Sequence, residues 1–251
     1  MKELDRLIEI LCAERGESVP ALKEDKKADY FRALINVRPP MPVSEEFLSL
    51  QDKYLSERTR EKGVADVNKF DYTGGVALWR GDITRLNADA VVNACNPALL
   101  GCFAPLHNCI DNVIHSAAGV QVRLDCNEIM RGGSEPSGRV RVTKAYNLPS
   151  KFIFHTVGPQ VTGKVTEENK KDLENCYLSC LEKAREMNLE SIAFCCISTG
   201  VYGYPQKEAC ALAVRTVKAR LAGIKDGLKV IFDVFTEEDE ALYERELFKK
   251  A

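Results

Sequence analysis

The stretch "DAVVNACN", residues 89–96, carries the reading of the fold. Ala90, Val91 and Val92 make a short apolar run that stops at once on two amide side chains, Asn93 and Asn96. The same texture recurs in "VALWRGDI" (76–83), "KFIFHTV" (151–157), "SIAFCCIST" (191–199) and "LKVIFDVF" (228–235). These runs alternate with helical patterns near 108–118, 167–187, 206–222 and 237–249. Such alternation predicts an α/β fold with a mainly parallel sheet and helices on both faces. Ligands in such sheets bind beyond the carboxyl ends of strands, so the residues that follow each run are the ones to inspect. Asp82 offers a carboxylate to an exocyclic amine, or serves as a turn residue. Asn93 and Asn96 can hold sugar hydroxyls or make Asx turns. "ISTGVYGYP", residues 197–205, is a hydroxyl-and-glycine turn before a helix, a shape that turns backbone amides toward a diphosphate.

Ahead of the strands the pattern is helical. Leu4, Leu7, Ile8 and Leu11 have helical spacing and end near Gly16, a second helix is expected after Pro20, and Ser44 before Glu45 and Glu46 is an N-cap signature for a third. Residues 1–66 are therefore predicted to be a helical N-terminal extension and 67–251 the α/β domain. The apolar faces Leu4/Leu7/Ile8/Leu11 and Phe47/Leu48/Tyr54/Leu55 have too little partner surface of their own, so the extension should pack on that domain. The net charge of −2 provides no field for nucleic acid or anionic membrane. The N-terminus lacks a signal-peptide pattern and no run approaches about 18 apolar residues. A cytoplasmic monomer without nucleic-acid or membrane partners is expected. The ten cysteines lack the spacing of a disulfide framework and read as reduced thiols, some of them metal ligands.

In "GCFAPLHNCIDNVIHSAAG", residues 101–119, the positions Ile110, Val113, Ile114, Ala117 and Ala118 mark a helix that begins at Cys109 and stops at Gly119. Cys102, His107 and Cys109 fall within eight residues and suit zinc, or are two buried thiols and a loop histidine without metal. Three ligands with an open fourth position is the catalytic zinc pattern; a closed structural site would need a fourth, Cys95 or a cysteine from elsewhere. Asp111 lies near that loop, and His115 one turn on reads as a packing histidine. The remaining cysteines, Cys176, Cys180, Cys195 and Cys196 among them, read as structural. "GPQVTGKVT", residues 158–166, nearly spells a phosphate-binding loop, but Val165 occupies the hydroxyl position and Pro159 has no N–H, so it reads as a surface loop.

The order G-D-I, V-N-A-x-N, I-D-x-x-I-H-x-A-A-G, "KAYNLPSKFIFHTVGP" and "ISTGVYGYP" resembles the macrodomain family, three-layer α/β/α modules that bind ADP-ribose, over about residues 73–236. "GCFAPLHNC" stands where ordinary macrodomains carry a glycine-rich run, which resembles the zinc-containing branch, microbial proteins associated with sirtuin-type ADP-ribosyltransferases. The resemblance implies a three-layer fold with a mixed, mainly parallel sheet. By position it implies that Asp82 accepts from the adenine amine and that Ile83 lends a backbone N–H to the base. Asn93 would hold the distal ribose, with Asn96 also in the substrate site. Ser198, Thr199, Gly200, Val201 and Tyr202 would wrap the diphosphate, Tyr202 closing over the ribose. Cys102, His107 and Cys109 would hold Zn2+, with Asp111 and Asn93 as the catalytic pair. The implied activity is zinc-dependent removal of mono-ADP-ribose from protein side chains, aspartate or glutamate foremost. A non-catalytic ADP-ribose reader with a structural zinc and an O-acetyl-ADP-ribose deacetylase are the rival expectations.

Overall fold

The computed structural model describes residues 2–223 and 227–248; residue 249, the last of the helical pattern over 237–249, lies outside them. Six strands, β1 (Val76–Arg80), β2 (Ala90–Ala94), β3 (Val140–Lys144), β4 (Phe152–Thr156), β5 (Ser191–Phe194) and β6 (Lys229–Val234), form one sheet in the order β1-β6-β5-β2-β4-β3. Every neighbouring pair is parallel except β3 with β4. The five parallel strands are the five apolar runs of the sequence. The sixth, β3, is an antiparallel edge strand with Val140 and Val142 half-buried, Thr143 buried and Arg141 and Lys144 exposed. It has no apolar run because it lies at the sheet edge, with one side unpaired and Arg141 and Lys144 exposed.

Helices α4 (Ile110–Ala118) and α5 (Val120–Met130) cover one face of the sheet, and α6 (Glu167–Glu186), α7 (Gln206–Ala222) and α8 (Glu237–Phe248) cover the other. The sequence reading stopped at Gly119 and missed α5. Gly119 ends α4 at φ 101° and the chain re-enters a helix with the next residue. The stretch from Gly158 leads into α6 as a loop, exposed at residues 162–164, and Thr166 closes it with a capping box on Asn169. Between sheet and α6–α8, Tyr177 packs 5.0 Å from Phe194, and Phe232 5.0 Å from Tyr243, centroid to centroid. Among the described residues no helix is long and apolar enough to cross a membrane.

The extension consists of α1 (Lys2–Glu14), α2 (Lys27–Val37) and α3 (Glu45–Lys62), with Ser44 accepting from the Phe47 amide at 3.2 Å as the N-cap of α3. Leu4, Leu7, Ile8, Leu11, Phe31, Phe47 and Leu55 form a second core, and Val120 of α5 completes it. The fully buried Gln51 accepts from the Val120 amide at 2.9 Å and donates to Gln121 at 2.7 Å. The extension therefore supplies both apolar cover and hydrogen-bond partners to α5. A fragment beginning at residue 67 uncovers Val120 and orphans its amide, so its unfolding free energy is expected to fall by about 2 kcal/mol or more. Equal denaturation midpoints for fragment and full chain would show the extension to be an independent module.

Candidate functional site

Because β1, β2, β5 and β6 run the same way, the residues that follow them emerge along one edge of the sheet. Asp82 caps a 3-10 turn at Ile83–Arg85, accepting from Thr84 N at 3.0 Å and Thr84 Oγ1 at 2.5 Å, while Lys62 of α3 donates to it at 3.0 Å. Burial opposes ionisation here, but the Thr84 hydroxyl and the Lys62 ammonium still hold the carboxyl below its ordinary range. Among the described residues no protein acceptor meets the Ile83 amide, an orphan donor at the start of its turn. The Gly81 amide donates to Val234 O at 3.0 Å, which sets Asp82 beside Phe235 at the end of β6, a phenyl ring 78% exposed.

The turn after β5 is wound around Ser198, buried at φ 67° with its hydroxyl unpartnered. Tyr204 N donates to Ser198 O, Gly203 N to Gly200 O (3.0 Å each), and Val161 N to Tyr202 O (2.8 Å). The amides of Gly200 and Val201 meet no protein acceptor among the described residues, and unpaired turn amides of this kind can receive an anion. Gly158 makes room for this turn: a Cβ there would meet Ser198 Oγ at 2.1 Å. A left-handed non-glycine residue held by its neighbours is the kind of stored backbone strain found at binding sites.

Asp111 is not the solvated helix acid that its place in the first turn of α4 allowed. It is buried between two amides: Asn93 Nδ2 donates to its Oδ1 at 2.8 Å and Asn96 Nδ2 to its Oδ2 at 3.2 Å. Burial pushes its carboxyl up to about 6, against the Asn93 hydrogen bond and the positive charge of Arg123. The second hydrogen of Asn93 Nδ2 goes to His155 Nδ1 at 3.2 Å. His155 therefore accepts at Nδ1 and donates from Nε2 to Thr143 Oγ1 at 2.9 Å; burial holds it neutral, down to about 3. With both amide hydrogens committed, Asn93 Oδ1 is left buried and without a partner among the described residues. Tyr202 is close enough for the Asp111 charge to act on its phenol.

The loop that leads into α4 brings the ligand atoms of Cys102, His107 and Cys109 to within 4.8 Å of one another, with Cys102 Sγ 3.5 Å from His107 Nδ1. Burial, with Cys102 alongside, pushes the Cys109 thiol up to about 11. Two sulfurs and an imidazole within that reach are a donor set that suits zinc. Gly101, at φ 78°, lets the loop pass over His115, where a Cβ would meet the ring at 2.9 Å. Cys95, weighed as a fourth ligand, is not part of this group; its thiol bonds Thr156 O at 3.3 Å. His115, Cys126 and His155 form a second, fully buried group, but the nitrogens of His155 already have partners in Asn93 and Thr143. All ten cysteines are free; Cys176, Cys180 and Cys195 are buried and Cys196 is half-buried.

The structure thus brings Asn93, Asn96 and Asp111 into one network directly after the Cys102/His107/Cys109 loop, with Asp82, Ile83 and Ser198–Tyr202 along the same edge. The sequence reading passed over His155, although a histidine inside the apolar run "KFIFHTV" is itself a signal. It also passed over Phe235, an apolar residue just past a strand end.

A model of the macro domain family matches residues 92–213. A Staphylococcus aureus protein named protein-ADP-ribose hydrolase is 47% identical over 256 aligned residues, covering 98% of this chain and 95% of its own. Among solved structures, a mutant of the Oceanobacillus iheyensis macrodomain with ADPR is 38% identical with a TM-score of 0.63, covering 68% of this chain and 91% of its own. The Trypanosoma brucei macrodomain in complex with ADP-ribose is 29% identical with a TM-score of 0.66, covering 85% and 94%. With that identity along nearly its whole length and this sheet, the chain belongs to the macro domain family.

Proposed function

We propose that this protein is a zinc-dependent hydrolase that removes mono-ADP-ribose from modified protein side chains, with aspartate and glutamate esters as substrates. The observation that carries the reading is the position of Asp111: a buried carboxylate held by Asn93 and Asn96, two residues past a loop with three zinc-type ligand atoms within 4.8 Å. The names of the relatives at 46–47% identity support the reaction class. Among the described residues no fourth ligand atom joins the three, which supports an open, catalytic site over the closed site of a reader.

In this reading Phe235 stacks on the adenine while Asp82 and the Ile83 amide hold its edge. Asp82 has the capacity to do so, since a carboxylate has about four lone-pair sites and Thr84 and Lys62 use three. The amides of Gly200 and Val201 hold the diphosphate, and Tyr202 covers the distal ribose. Asn93 Oδ1 accepts from a ribose hydroxyl, the one partner it lacks within the protein. Cys102, His107 and Cys109 would hold zinc, which when bound supplies Lewis acidity toward an oxygen at the anomeric linkage. Asp111 receives the proton of the attacking water, its burial having raised its basicity toward the working range.

The test is release of ADP-ribose from a protein modified on aspartate, followed by mass spectrometry with and without a zinc chelator. Side-by-side turnover of O-acetyl-ADP-ribose separates the deacetylase alternative, and unimpaired release in chelator defeats the zinc reading. At the adenine end, Asp82→Ala is expected to weaken ADP-ribose binding by a factor of ten to a hundred, the loss of one charge-assisted hydrogen bond of about 1.5–3 kcal/mol. Zinc content should not change. Equal affinity by calorimetry would leave Asp82 as a turn residue only.

A further inference from the structure

At its reacting end the proposed chemistry uses nothing from the N-terminal extension, which otherwise gives only Lys62 to Asp82, yet α2 holds the metal-ligand loop from outside. Arg32 Nη2 donates to His107 O at 2.8 Å and to Asn112 Oδ1 at 2.9 Å, across more than 70 residues of sequence. The buried Asn36 accepts from the Leu106 amide at 3.0 Å and donates to Ser116 Oγ at 2.8 Å. Asn112, itself gripped by Arg32, donates to Cys102 O at 3.3 Å and Ala104 O at 2.9 Å. From α5 Arg123 Nε donates to Leu100 O at 2.6 Å, while its Nη1 reaches Ile35 O at 2.8 Å and Arg38 O at 2.5 Å. The same guanidinium lies 4.4 Å from the Phe103 ring centroid.

Without these bonds the loop has little to fix it. Residues 103–106 are exposed, and Leu106, the residue before the ligand His107, sits at φ 58°, where side chains other than glycine are uncommon. Asn36 bonds the amide of that strained residue and Arg32 the carbonyl of the next, so both peptides flanking the turn are held from α2. Fixing a free loop costs about 1–2 kcal/mol per residue in backbone entropy, a cost that otherwise falls on metal binding.

We infer that Arg32 and Asn36 are positioning residues for the metal site: they hold the loop so that Cys102, His107 and Cys109 are in reach of one another before an ion arrives. The helical extension is thereby a part of the metal site. The inference rests on the zinc reading. Outer partners of metal ligands typically contribute ten- to a hundredfold in affinity, and that is the effect expected here.

The test measures zinc affinity of the full chain by competition with a chromogenic chelator, together with an unfolding curve of each metal-free protein. Arg32→Ala and Asn36→Ala should each bind zinc ten- to a hundredfold more weakly. Arg32→Lys, whose ammonium lacks the fixed fork of the guanidinium, should fall between Arg32→Ala and the parent. Arg6→Ala, which removes only exposed pairs with Glu9 and Glu46 on the same extension, should bind as the parent does. Folded Arg32→Ala and Asn36→Ala proteins with parental affinity overturn the inference and leave the zinc reading standing. If Arg32→Ala does not fold without metal, a folded Arg32→Lys decides, and parental affinity in it overturns the inference equally. A parent protein that binds no zinc, or a Cys109→Ala protein that binds it as well as the parent, removes the zinc reading and the inference with it.

Discussion

Cys102→Ala, His107→Ala and Cys109→Ala are each expected to bring release of ADP-ribose from modified protein down to background. The three ligand atoms lie within 4.8 Å of one another and no fourth joins them among the described residues, so loss of any one leaves two donors, too few to hold zinc against water. ADP-ribose itself should still bind, because Asp82, Phe235 and the Ser198–Tyr202 turn follow other strands and, among the described residues, share no hydrogen bond with the loop. The measurements are zinc per chain by elemental mass spectrometry, initial rate on a modified protein, ADP-ribose affinity by calorimetry and an unfolding curve. A well-folded, zinc-free variant that binds ADP-ribose and turns over at the parental rate would defeat the mechanism.

Asp111→Ala is expected to keep its zinc and lose a factor of 10²–10⁴ in rate, about the contribution of a positioned proton acceptor. The structure adds a reason for care in choosing the variant. Asp111 takes hydrogen bonds from both Asn93 and Asn96, so alanine also leaves one N–H of each amide unpaired, while Asn93 Nδ2 keeps His155 and Asn96 Nδ2 keeps Gly101 O. Asp111→Asn keeps the volume and one acceptor oxygen while removing the base, and should lose rate to a similar degree with a smaller loss of stability. A rate within tenfold of the parent in Asp111→Asn, with zinc and fold intact, would remove Asp111 from the reaction. Loss of zinc from that variant would instead make Asp111 part of the metal site.

Much of the fold was legible because its signals are local. A buried parallel strand is a short apolar run, and "DAVVNACN" and its four counterparts each lie within eight or nine residues. The N-cap at Ser44 and the helix from Cys109 are equally local. The two elements that escaped, β3 and α5, are those whose environment is set by neighbours. β3 is half-exposed at the sheet edge, and the polar side of α5 is covered by Gln51 and Val120's contacts with the extension.

The site divides along the same line. The types and spacing of Cys102, His107 and Cys109 follow from one stretch of eight residues, and the order of motifs along the chain is sufficient to place the macro domain family. By itself the sequence determined which residues lie at the strand ends and which chemistry they bring. Only the tertiary structure decided that Asp111 is a buried carboxylate held by Asn93 and Asn96, that His155 commits the last hydrogen of Asn93, and that α2 grips the loop of Cys102, His107 and Cys109. Those contacts join residues 15 to 80 positions apart. Periodicity and spacing describe a residue's surroundings over a turn or two of chain, whereas a hydrogen bond across such distances exists only once separate elements have packed and water has been excluded between them.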